Sequence, residues 1–155
     1  MLQIHVVISL IAIVAGIMVV FGFVTNRRMN GWNAIFLLFT IATSVTGFLL
    51  PLNGLTPPVI LGIASLAVLA IAVYARYGKL MLQTWRPVYV ATAMIAFYMN
   101  FFVLIVQAFQ KLPTFHALAP TQSEPPFAAT QLGAVVVFIV LTIVAMKRYH
   151  PSPGV

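Results

Sequence analysis

At 155 residues, 63% hydrophobic and only 6% charged, the chain lacks the polar surface that would cover a water-soluble globule, which excludes a soluble domain and points to a bilayer. The net charge of +7 comes from eight basic residues set in short clusters between apolar runs, a distribution that reads as membrane topology and excludes nucleic acid as a partner. Cysteine is absent, which removes disulfides, thiolate metal ligation and thiol catalysis.

Met1 to Asn26 carries no charged side chain, and with neither a basic leader nor a small-residue cleavage site it reads as a retained first span, roughly residues 4–24. His5, Ser9, Ala12 and Gly16 recur along it at helical spacing, a narrow face suited to close helix contact. Arg27 and Arg28 close the span. From Met29 to Ala75 there are 47 residues without a charge, and as one helix they would be about 70 Å long, more than twice the ~30 Å hydrocarbon core. The run must fold back. Pro51-Leu52-Asn53-Gly54 is the turn signal and Thr56-Pro57-Pro58 the following helix start, giving spans near 32–50 and 58–74.

Thr40, Thr43, Ser44 and Gly47 lie on one stripe of the second span, and Gly62, Ser65 and Ala72 on one side of the third. Arg76, Lys79 and Arg86, with Tyr74, Tyr77, Trp85 and Tyr89 around them, are expected at headgroup level, the basic side chains snorkelling to water. A fourth span, near 87–110, carries Asn100 and, seven residues on and hence on the same face, Gln107. An amide in hydrocarbon needs a partner, and the hydroxyls of the second span are the intramolecular candidates. A proline-stiffened connector at 111–126 precedes a fifth span near 127–146, closed by Lys147-Arg148 and a short tail.

Seven of the eight basic residues fall on one side and Lys111 alone on the other. By the positive-inside rule, the expected architecture is an all-α, polytopic transmembrane bundle of five spans forming one integral-membrane domain, amino terminus outside and carboxyl terminus inside. That threading places His5 and the connector, with His116 and Glu124, on the outer face.

Two sets of residues could carry chemistry. His5, His116 and Glu124 supply two imidazoles and a carboxylate, a donor set sufficient for zinc, copper or non-haem iron, although it lacks any ligand spacing along the chain. Each also has a structural explanation, His5 at the interface, His116 in a solvated loop, and Glu124 opening a helix in Ser123-Glu124-Pro125-Pro126. Bis-histidine haem is disfavoured because His5 is the one histidine inside a span. Asn100, Gln107, Thr43 and Ser44 could instead line a neutral polar pocket for a lipid or quinone head group. No particular cofactor follows from either set.

The run HALAPTQSEPPF, with TSVTGF in the second span and LAIAVYARY at the end of the third, resembles a family of small multi-pass inner-membrane proteins of bacteria with no assigned activity. The resemblance implies a bacterial inner-membrane setting and carries no catalytic residue. The leading expectation is a non-enzymatic accessory or interaction subunit, its partners the bilayer and another membrane protein or a second copy of the chain. The alternatives are a redox or metal-linked protein using His5, His116 and Glu124, and a lipid or quinone carrier built around Asn100 and Gln107.

Overall fold

The computed structural model describes residues 2–50 and 56–151, and these form helices joined by short connections. In chain order they are α1 (Leu2–Val24), α2 (Asn30–Phe48), α3 (Pro57–Val73) running on into a π-helical turn (Tyr74–Gly78), α4 (Trp85–Lys111), the short α5 (Pro113–Leu118) and α6 (Pro125–Arg148). Five helices, with the π turn counted into α3, are long and apolar enough to cross a membrane. The Pro51 to Gly54 turn expected between the second and third lies outside the described residues.

Chain punctuation accounts for the helix ends. Prolines occupy the first turns of α3, α5 and α6, where the missing N–H would have had no partner. Thr56 stands at the start of α3 in extended conformation, as the sequence suggests, but its hydroxyl makes no capping hydrogen bond. At the far end of α6, Arg86 takes over the capping role, its Nη1 donating to the carbonyl oxygens of Met146, at 3.1 Å, and Tyr149. The His150 backbone N–H donates to Asn26 Oδ1 at 2.8 Å, tying the end of α6 to the end of α1.

The long helix α4 is the hub: it packs against α1, α2, α3, α5 and α6, while α1 also touches α2 and α6. Phe97 at its middle meets Phe36 of α2 and Phe138 of α6, with ring centroids 6.0 Å and 5.2 Å apart. α6 buries only Gln131, Phe138 and Ala145, one residue per two turns, so it touches the bundle along a narrow line. Its remaining sides, like those of α1, expose Leu, Ile and Val, a surface that water disfavours and lipid accepts.

Small residues do set the close approaches. A Cβ built on Gly16 would overlap the Phe97 ring, and one on Gly62 would lie 2.9 Å from Phe48 Cζ. Gly16→Leu is therefore expected to destabilise the bundle by about 1–3 kcal/mol through overpacking. The check is circular-dichroism melting in mild detergent, with Phe97→Ala added to the same chain restoring part of the loss.

Candidate functional site

The end of the bundle where α1 and α6 finish and α2 and α4 begin holds a buried cation with no carboxylate beside it among the described residues. Ser65, Leu69, Ala72 and Arg76 fall at i, i+4, i+7 and i+11 on the inward stripe of α3, and all four are buried. Arg76 is 6% exposed. The sequence reading that sent this side chain out to water is thus corrected: its helical phase turns it into the bundle, while Lys79, beyond the π turn, is exposed.

Arg76 Nη2 donates to Asn30 Oδ1 at 2.8 Å, Nη1 approaches the thioether of Met81 at 3.6 Å, and Nε is buried without a partner among the described residues. The guanidinium lies over the rings of Tyr89 and Tyr77, 5.1 and 5.6 Å from their centroids. Tyr89 in turn donates its hydroxyl to Asn33 Oδ1, and Asn33 Nδ2 donates to the Met29 carbonyl at 2.7 Å. Phe23 packs edge-on against Tyr89 and tilted against Tyr149, whose own hydroxyl is buried and unpartnered.

In a helix that crosses a membrane, a charge costs about 2.5–3.5 kcal/mol at the bilayer centre and less near the helix end, the position Arg76 has in the α3 segment. One charge-assisted hydrogen bond, worth about 1.5–3 kcal/mol, and two cation–π contacts of about 0.5–2 kcal/mol each offset that cost. Among the described residues no carboxylate cancels the charge itself. The only acidic residue of the chain, Glu124, is at the other end of α6.

The backbone over Arg76 is unusual. The Lys79 N–H reaches the Tyr74 carbonyl at 2.9 Å and the Met81 N–H reaches the Ala75 carbonyl at 2.9 Å, wider rings than an α-helix makes. Leu80, Met81 and Gln83 then take left-handed conformations at φ 52°, 54° and 48°, each costing a non-glycine residue on the order of 1–2 kcal/mol. This strained strap carries the buried Met81 side chain onto the guanidinium. Beside it, an apolar groove of about 550 Å³ runs between α2 and α3 from Ile41 and Leu66 past Ala70 to Tyr74, Tyr77 and Gly78. Lys79 Nζ stands 5.5 Å from the Tyr74 ring centroid and 5.7 Å from that of Trp85.

The residues singled out from the sequence are distributed differently. Asn100 Nδ2 donates to Thr40 Oγ1 at 3.2 Å, the second-span hydroxyl partnership expected of it, whereas Gln107 is exposed. Ser44 Oγ donates to Ser65 Oγ at 3.1 Å and Thr43 Oγ1 is buried without a partner. His5 Nδ1 is hydrogen-bonded to Thr46 Oγ1 at 2.8 Å, and His116 is exposed on α5. Among the described residues no three His, Asp or Glu side chains gather into a group that could hold a metal ion.

Glu124 opens α6, and its carboxylate accepts from the Thr121 N–H at 3.1 Å, the Thr121 hydroxyl at 2.9 Å and the Ser123 N–H at 3.1 Å. Loss of hydration acts to raise its pKa, but these bonds and one from its own N–H outweigh that and hold it below the ordinary 4.5. Comparison with family models, curated proteins and solved structures returns no match for the chain.

Two outcomes follow. Asn30→Asp sets a carboxylate against Arg76 in the first turn of α2, where a negative charge also suits the helix dipole, and is expected to raise stability by about 1 kcal/mol; Asn30→Leu should lower it by about 3 kcal/mol, both read from melting midpoints. Because the folded-state pKa of Glu124 is depressed, its contribution is fully present above about 4.5 and lost as pH falls through the lower folded value. Amide exchange protection at Thr121 and Ser123 should fall over that acid window, and Glu124→Gln should weaken it at neutral pH and remove the pH dependence.

Proposed function

We propose that the chain is a multi-pass protein of the bacterial cytoplasmic membrane, threaded five times with its amino terminus outside and carboxyl terminus inside. Its role is that of a non-enzymatic accessory protein engaging anionic head groups of the inner leaflet through its basic end. The threading is supported by the charge distribution, since Arg27, Arg28, Arg76, Lys79, Arg86, Lys147 and Arg148 belong to helix ends and connections on one side of the bundle. Anionic lipids enrich the cytoplasmic leaflet and attract such clusters by about 1 kcal/mol per basic residue near the surface.

The single observation that carries the reading is Arg76. A buried guanidinium with an unpartnered Nε, a thioether against Nη1 and no carboxylate near it among the described residues is complementary to an oxyanion that the chain does not itself provide. Basic residues that merely snorkel would need no such burial.

The test is melting of the purified protein in nonionic detergent with added phosphatidylglycerol or phosphatidylcholine. Phosphatidylglycerol is expected to raise the midpoint, phosphatidylcholine to leave it near the lipid-free value, and Arg76→Gln to abolish the difference. An equal response to both lipids, or a preference that survives Arg76→Gln, would refute the reading.

A further inference from the structure

We infer that the groove between α2 and α3 is the seat of one anionic phospholipid, with an acyl chain lying from Leu66 to Gly78 and the phosphate held by Arg76 and Lys79. This rests on the reading of Arg76 given above and adds what the ligand is and where its tail lies.

Length and orientation fit one leaflet. Leu66 to Gly78 spans roughly 18 Å at 1.5 Å per residue, against ~15 Å for half of a ~30 Å hydrocarbon core. The lining is aliphatic at its deep end, with Ile41, Leu66 and Ala70, and turns aromatic at Tyr74 and Tyr77. Its volume of about 550 Å³ is within the range of small-molecule sites.

Charge decides which amphiphile enters. Each of the two tyrosines that close the shallow end of the groove has a cation over its ring, Arg76 over Tyr77 and Lys79 over Tyr74, the same cations lying also over Tyr89 and Trp85 outside the groove. A zwitterionic head group would bring its own cation to this pair, whereas a phosphate diester bearing a neutral alcohol would not. The thioether of Met81 is a weak acceptor, and it sits on the strained strap, so a phosphate oxygen can replace it at Nη1. Neither groove is lined by a charged residue, but the second, between α4 and α6 around Tyr98 and Ile139, has no cation over a lining ring among the described residues and serves as the control.

The experiment is native mass spectrometry of the full chain released from nonionic detergent after titration with dioleoyl phosphatidylglycerol or dioleoyl phosphatidylcholine. One phosphatidylglycerol is expected to bind at least about tenfold tighter than phosphatidylcholine, a difference of about 1.4 kcal/mol. Ala70→Trp, which fills the groove from its exposed side, should weaken phosphatidylglycerol at least about tenfold, and Ile139→Trp should leave it unchanged. Should Arg76→Gln fail to fold, Asn30→Asp occupies the guanidinium internally and should erase the head-group preference.

If Ala70→Trp and Leu66→Trp both bind phosphatidylglycerol as the unaltered chain does, the groove is not the seat, while the head-group reading survives. If glycerol phosphate or inorganic phosphate at equal concentration displaces the lipid, the ligand is a free anion and the tail assignment falls. If Asn30→Asp keeps the full preference, both readings fall.

Discussion

The bundle depends on a row of polar side chains along α2. Asn33, Thr40, Ser44 and Thr46 each reach a different point on a neighbouring helix, at Tyr89, Asn100, Ser65 and His5 respectively. In the membrane setting proposed above, apolar contact does little to choose one rotation of a helix over another, because lipid tails are as apolar as Leu. Each of these bonds is worth on the order of 1 kcal/mol, yet together they set which face of α1, α3 and α4 turns inward. Around that frame the close approaches follow, Gly16 beneath Phe97 and Gly62 beside Phe48.

The same frame creates the unusual site. Once Ser65 is turned toward Ser44, helical periodicity carries Leu69, Ala72 and Arg76 inward with it, and the cation arrives beside Asn30 rather than in water. The π turn and the left-handed strap are the local price of ending α3 there, since the chain must leave a buried position and reach the start of α4 within a few residues. The strained backbone, the Arg76 Nε and the unpartnered Tyr149 hydroxyl lie in this region, while Thr43 Oγ1, Thr56 Oγ1 and Gln131 Oε1 are unpartnered elsewhere among the described residues. At the opposite end Gln122 and Gln131 bond back to carbonyls of α4 at Val106 and Phe102, and Glu124 is satisfied within its own turn. That end is polar, and Gln131 Oε1 and Thr56 Oγ1 are buried there without a partner among the described residues.

Much of the architecture was legible from spacing and punctuation. The double prolines after Thr56 and Glu124, the uncharged run too long for one crossing and the basic pairs marked helix starts, a fold-back and helix ends. The partnership of Asn100 with the second span was also legible, because a buried amide must find an oxygen and few were on offer. Arg76 was misread although its signal was present. The spacing of Ser65, Leu69, Ala72 and Arg76 already placed the charge on the stripe of small residues, but a basic residue after an apolar run is so commonly a boundary that its phase went unused.

The amino-acid order by itself determined an all-α class, with five segments of membrane-crossing length and positive charge gathered at one end, because length, hydropathy and charge are properties of segments taken singly. Only the tertiary structure decided that Asn100 is bonded while Gln107 is exposed, that His5 answers to Thr46, and that one of eight basic side chains is sealed among tyrosines above an apolar groove. Those outcomes depend on how helices rotate and tilt against one another, which is set by contacts between residues far apart in the chain.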